Sequence, residues 1–285
     1  MERRTFGRTG VTLSAFCFGT MRLLAPRFDL ASATALVLDL FERGVTSFHV
    51  SQEYESYPLA CAALRALRRA RPGAEIEIVS KIPVPHFSED RFDPARAMAL
   101  IEADRQALGA ERIDVVQWMI RHTPNDDAPR LAILARDGEI ARDTWNQLRA
   151  DGRIGALAVF PYSDAMLRAS LALTWVDGLV TYLNPLELDA APYLDRLAAE
   201  GRGFMAIRPL LAGKVLEDAP FWNALDVAPQ DRPAFAIAFS LMHPAVASTI
   251  LTASSPVRLD QAIAEVQRVH VNRDRFAALS RRLQA

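Results

Sequence analysis

The sequence predicts an α/β fold of one class, a (β/α)8 barrel (TIM barrel) with an N-terminal β-hairpin, and three observations carry the prediction. Eight short apolar runs recur along the chain, nearly all separated by segments with helical spacing. The runs are apolar throughout rather than alternating, as befits parallel strands covered on both faces. The 285 residues contain no long linker, low-complexity segment or shift of composition, so one barrel domain over 1–285 is expected.

Taken in order, residues 3–14 read as the hairpin, with Thr5-Phe6 and Val11-Thr12-Leu13 around the glycine-rich turn Gly7-Arg8-Thr9-Gly10. Ala15-Phe16-Cys17-Phe18-Gly19-Thr20 is the first barrel strand, and Leu36, Val37, Leu40 and Phe41 place 32–43 on a helix. Gly44 stops that helix, and Val45, Phe48 and Val50 form the second strand, which breaks into the polar Ser51-Gln52-Glu53-Tyr54. Helix 59–69 has a basic end, as its dipole favours, and strand 75–81 ends on Lys81. Pro94 opens helix 94–108, strand 113–119 follows, and Gly152 stops helix 142–151. Strand 154–160, helix 164–173, strand 176–182, helix 192–200, strand 203–208, helix 233–242 and strand 247–252 continue the alternation, and helices 256–266 and 273–283 complete the pattern. The polar stretches 122–140 and 213–231 follow strands, so both are expected as loops over the active face.

Hydrophobic residues at 51% and charged residues at 24% describe a soluble globular protein, and a net charge of −1 gives no reason to expect nucleic acid or an anionic membrane as partner. There is no apolar run long enough for a membrane span, and Met1 to Arg8 carry no signal-peptide pattern, so the cytoplasm is the expected location. Cys17 and Cys61 read as reduced core residues. The histidines lack metal-ligand spacing, and neither a Gly-x-Gly-x-x-Gly, a phosphate-loop nor a Gly-x-Ser-x-Gly motif is found, so no metal is expected.

Chemistry concentrates on Tyr54 and Lys81. If their strands share one parallel sheet, both side chains emerge at the same edge, and a phenol beside an ammonium is a proton donor with a lowered pKa. The plain alternatives are a loop tyrosine, a solvated lysine and a satisfied core histidine at His49. Asp114 reads as structural. Glu53 and Glu55 read as solvated, with one of them a candidate to supply a compensating charge. Arg208 and Lys214 suit a phosphate grip on a dinucleotide or on an anionic substrate, and Arg258 is either a cofactor contact or a helix-surface charge. Trp118, Trp145 and Trp175 read as core, whereas Trp222 is expected nearest to a ligand.

The opening Phe6-Gly7-Arg8-Thr9-Gly10-Val11-Thr12-Leu13-Ser14, then Phe18-Gly19-Thr20-Met21, the stretch 44–54, Lys81, and Asp151-Gly152-Arg153-Ile154-Gly155-Ala156-Leu157 come in one order. They are followed by Arg208-Pro209-Leu210-Leu211-Ala212-Gly213-Lys214, His243-Pro244-Ala245-Val246 and Ser255-Pro256-Val257-Arg258-Leu259. In that order, almost end to end, the sequence resembles the aldo-keto reductase family. The resemblance implies a nicotinamide nucleotide, NADP or NAD, lying across the barrel mouth on Gly19, Thr20, Met21, Phe160, Arg208, Leu210, Lys214, Ser255 and Arg258. It implies a small-molecule substrate whose carbonyl carbon takes hydride while Tyr54 protonates the oxygen and Lys81 tunes Tyr54.

Departures from the family pattern are equally plain. The aspartate that holds the lysine is His49 here, and an imidazole supplies no anion. In register, the family's histidine falls at Met119. His122, in His122-Thr123-Pro124-Asn125, resembles the family's His-x-Pro-Asp, so either His122 takes the histidine role or Met119 is the true replacement. The Ser-Asn clamp after the fifth strand is Phe160-Pro161, the stacking aromatic falls near Ile207-Arg208, the adenosine-phosphate lysine and serine fall at Thr252 and Ala253, and the final asparagine is Ala262. Three activities follow: an NAD(P)-dependent oxidoreductase acting on a carbonyl or alcohol; a non-redox lyase or isomerase using Tyr54, Lys81 and His49 for proton transfer; and a non-catalytic homologue that binds a nucleotide or a partner.

Overall fold

The computed structural model describes residues 1–123, 126–252 and 256–284. Eight parallel strands close on themselves: β3 (Phe16–Gly19), β4 (Ser47–Ser51), β5 (Glu77–Pro83), β6 (Ile113–Met119), β7 (Ile154–Val159), β8 (Gly178–Tyr182), β9 (Gly203–Ile207) and β10 (Val246–Leu251), which pairs back to β3. Before them, β1 (Arg3–Thr5) and β2 (Thr12–Ser14) form an antiparallel hairpin. Around the barrel lie α1 (Leu30–Glu42), α2 (Tyr57–Ala70), α3 (Pro94–Leu108), α4 (Asp127–Ala150), α5 (Asp164–Ala172), α6 (Leu194–Glu200), α7 (Pro220–Leu225), α8 (Arg232–Leu241), α9 (Pro256–Arg268) and α10 (Arg273–Gln284). No helix among the described residues is long and apolar enough to cross a membrane.

The apolar runs are strands because both of their faces are buried. Inward positions such as Val79, Val115, Ala156, Ala158, Val180, Met205 and Ile250 fill the barrel with Cys17, while outward positions such as Phe48, Ile78, Trp118 and Leu157 pack under the helices. Both cysteines are buried and free.

The hairpin seals the barrel at the strands' amino ends. Phe6, Val11 and Leu13 join the interior cluster, and Phe6 is wholly buried. Its ring sits against Gly178 and Gly203, which face each other across β8 and β9. A Cβ at either glycine would stand 2.5 Å from a ring carbon of Phe6, so the bare backbone there makes the recess.

Two expected loops are partly helical. Helix α4 begins at Asp127, inside the 122–140 stretch, and Asp126 caps it by accepting the Ala128 N–H at 3.3 Å. Pro129 lies in the first turn, where a missing N–H costs nothing. The dense charges conceal a buried stripe of Ile133, Leu134, Ala141, Trp145 and Leu148. The 213–231 stretch holds α7 and two short 3-10 turns, Leu211–Leu216 (which starts just before it) and Pro229–Asp231. Trp222 on α7 is not the ligand contact expected of it. It is fully buried, donates its indole N–H to the Val215 carbonyl at 3.0 Å, and packs edge-on against Phe235.

Candidate active site

Parallel register brings the chemical side chains to the carboxyl ends of the strands. Ser51 pairs with Lys81 between β4 and β5, and Lys81 with Gln117 between β5 and β6, so Lys81 and Gln117 share the inward face. Beyond β4 the chain turns back: the Tyr54 N–H donates to the Ser51 carbonyl at 3.0 Å and the Glu53 N–H to Ser51 Oγ at 3.2 Å. The turn is anchored from behind by Asp104 of α3. This buried carboxylate accepts Gln52 Nε2 at 2.8 Å, the Tyr57 hydroxyl at 2.5 Å and the Ser80 hydroxyl. Tyr54 is thereby held over the mouth, with Lys81 Nζ 4.8 Å from its ring centroid and the His49 ring edge-on at 6.2 Å. Tyr54, Lys81 and His49 therefore come together.

Their electrostatics differ from the sequence expectation. His49 is buried, with Nε2–H donating to Gln117 Oε1 at 2.9 Å. Burial first, and then the Lys81 charge, lower its pKa to about 3, so the imidazole is neutral and gives Lys81 no counter-charge. No described carboxylate forms an ion pair with Lys81; burial, followed by the charge of Arg121, lowers its pKa to about 8, with Glu53 opposing them and Arg208 adding a smaller push downward. Tyr54 is pushed above the ordinary phenol range, by burial first and then by Glu53. The expected lowering of the phenol pKa by a neighbouring ammonium is thus overturned: desolvation outweighs the cations around it.

Arg121 is the site residue the sequence reading missed. It continues the two-residue alternation of Gln117 and Met119 past the end of β6, and that periodicity was the available signal. Its Nη2 lies 2.6 Å from Glu53 Oε2 and 3.8 Å from Met119 Sδ. Its charge acts on Tyr54, Lys81, Tyr162 and Tyr182. Glu53 is held by Arg121 and by His86, 3.2 Å away, rather than freely solvated. His122 follows Arg121 and is half-buried, while Pro124 and Asn125 of its motif lie outside the described residues.

The opposite wall is aromatic. Phe160 is only 3% exposed and stands edge-on between Tyr162 and Tyr182, with centroids 4.7 and 5.4 Å away. The Arg208 guanidinium lies 5.0 Å from the Tyr182 ring centroid, and Arg130 lies 3.8 Å from that of Tyr162. At the first strand exit the Thr20 hydroxyl donates to the His49 carbonyl and Thr252 Oγ1 to the Gly19 carbonyl, both at 3.1 Å, while Met21 is exposed. Past β9, Arg208, Leu211, Ala212 and Gly213 all take left-handed backbone, with φ of 54, 43, 54 and 101°. Arg208 and Lys214 are exposed around this turn, and Leu210 is half-buried. Arg258 is exposed on α9, and Ser255 and Ala253 lie outside the described residues.

Tested against a nicotinamide dinucleotide, the two ends of this surface fit differently. Exposed cations on a turn of left-handed backbone suit a diphosphate. The Phe160-Pro161 exit offers no side-chain donor for a carboxamide, so the wall suits a flat ring by stacking rather than by hydrogen bonding.

A sequence model of the Aldo/keto reductase family matches residues 15–220. In three dimensions, an aldo-keto reductase from Bacillus halodurans in its holo form superposes with a TM-score of 0.77 at 17% identity, covering 100% of this chain and 95% of that one. A Pseudomonas aeruginosa protein assigned as an aldo-keto reductase gives 0.72 at 21%, covering 94% and 95%. A thermostable aldo-keto reductase in complex with the inhibitor epalrestat gives 0.72 at 15%, covering 99% and 100%. These structural likenesses speak for the fold alone. Comparison with curated proteins returns no match.

Proposed function

The chain belongs to the aldo/keto reductase family, and from that premise we propose that it is an oxidoreductase that uses NADP or NAD to interconvert a carbonyl and an alcohol on a small molecule. The observation that carries the reading is the placement of the Lys81 amine 4.8 Å from the Tyr54 ring centroid at the carboxyl-terminal mouth of a closed barrel.

A bound dinucleotide would supply or accept the hydride. Arg208 and Lys214 would hold its diphosphate, Gly19, Thr20, Met21 and Leu210 would line its path, and Phe160 would back the ring, with Ser255 and Arg258 toward the adenosine. Tyr54 donates its hydroxyl hydrogen to the substrate oxygen. Its raised pKa keeps it protonated at neutral pH, so the proton leaves only as charge develops on that oxygen. Lys81, still mostly charged at pH 7 with a pKa of about 8, stabilises the phenolate left behind. His49 stays neutral and positions Gln117 instead of relaying protons.

One observation favours a second reading: the buried Phe160, without a donor, occupies the exit where the family clamps a carboxamide. On that reading Tyr54 and Lys81 transfer protons with no nucleotide. The test is calorimetric titration with NADPH and NADH, followed by turnover of an aldehyde panel read as nucleotide absorbance. We expect micromolar binding and a loss of at least about 100-fold in turnover for Tyr54→Phe with nucleotide affinity retained. Failure to bind either nucleotide, or turnover in nucleotide-free buffer, overturns the oxidoreductase reading.

A further inference from the structure

The mouth holds more hydrogen-bond donors than acceptors. Gln117 Nε2, Arg121 Nε and the Tyr162 hydroxyl are buried polar atoms without a partner among the described residues. Gln117 is completely buried, and its oxygen is already used by His49. The Lys81 amine, in register with Gln117, has no ion pair among the described residues. Nearly all the unmet capacity is N–H or O–H, and three of these four groups come from the adjacent exits of β5 and β6. Leaving a buried donor unpaired costs about 1–3 kcal/mol each, so a run of them on one rim marks a place completed by something else.

Charge points the same way. Lys81 experiences Arg121 and Arg208 as positive neighbours and Glu53 as the negative one. Glu53 is committed to Arg121 at 2.6 Å, which leaves the rim with positive charge in excess. A neutral carbonyl compound brings one acceptor oxygen and no charge, too little for this set of donors. Oxygen-rich anions satisfy both donors and charge, and a guanidinium suits them especially.

We propose that the ligand of this mouth is a carbonyl compound carrying its own oxyanion, a carboxylate or a phosphate, held by Arg121, Gln117 and Tyr162 while the carbonyl faces Tyr54 and Lys81. The chemistry done on that carbonyl rests on the oxidoreductase reading; the binding does not. Seating an anion beside Lys81 restores the counter-charge that the His49 position fails to provide, so binding near pH 8 is accompanied by proton uptake at that amine.

The experiment is isothermal titration of the whole chain, in two buffers of different ionisation heat near pH 8, with four probes. Phenylglyoxylate is compared with neutral benzaldehyde, and glyceraldehyde 3-phosphate with glyceraldehyde; the first pair reports on a carboxylate and the second on a phosphate. We expect at least one anion to bind about tenfold or more tighter than its neutral partner, with proton uptake. Arg121→Met removes most of that preference, and Tyr162→Phe, which keeps the ring and so the aromatic wall, weakens anion binding several-fold without lowering the melting temperature. Equal affinity within both pairs, or a preference unchanged in both variants, overturns the proposal. Anion binding with no nucleotide-dependent turnover keeps this inference and sinks the oxidoreductase reading; turnover of the neutral compounds with no anion preference does the reverse.

Discussion

Replacing Lys81 with methionine is expected to make the protein more stable, although it removes a residue placed at the chemistry. The amine's pKa falls from 10.5 to about 8 on folding. Below pH 8 both folded and unfolded chains carry the proton, and the folded chain bears the whole cost of an ammonium held beside Arg121 and Arg208. Between pH 8 and 10.5 the unfolded chain binds more proton than the folded one, so stability rises with pH and the cost disappears above that window. The shift corresponds to about 3 kcal/mol, and the amine's contact with solvent reduces this to about 2–3 kcal/mol. Methionine matches the stem in length, so little cavity forms. With an unfolding entropy of about 2 cal/mol/K per residue, Lys81→Met should melt about 4 °C higher at pH 7. Urea unfolding of both proteins at pH 7 and pH 10 isolates the effect, because other titrations cancel in the difference. The gain should fall below about 1 kcal/mol at pH 10. A variant that is less stable at pH 7, or a gain independent of pH, refutes the claim that Lys81 lacks a counter-charge.

Two further outcomes follow from the same surroundings. His49 folds neutral, with its pKa lowered from 6.5 to about 3, so the unfolded chain takes up the proton first as pH falls through this window and stability is lost there. His49→Gln should remove up to about 1.4 kcal/mol per pH unit from the acid slope, read from urea midpoints between pH 7 and pH 4. Asp104→Ala leaves Gln52, Tyr57 and Ser80 without their common acceptor and should cost about 3 kcal/mol, whereas Asp104→Asn, which keeps one acceptor oxygen, should cost less. Hydrogen exchange should then quicken across 52–57 while β5 stays protected, and an unchanged loop would detach Asp104 from the placement of Tyr54.

Much of the barrel was readable because parallel strands buried on both faces write themselves as apolar runs, and Tyr54 and Lys81 sit at the ends of two of them. The first half of helix α4 was hidden because Asp126, Pro129 and a high charge density read as loop until the cap and the buried stripe are seen together. Arg121 was missed for a different reason: the alternation of Gln117 and Met119 that would place it runs past the end of β6, where a strand's period need not continue, and His122 beside it resembles the family's His-x-Pro-Asp. The pKa order of Tyr54 and Lys81 depends on how deeply each is buried and on Arg121 and Arg208 arriving from other strands. No spacing along the chain encodes those quantities.

With Phe6 stoppering the far end, the barrel is a tumbler rather than a pipe. Whatever settles over the amine of Lys81 also corks the vessel, and displaced water has no drain beneath. Arrival and departure must therefore share one doorway and take turns, so a spent molecule that lingers there blocks its successor outright.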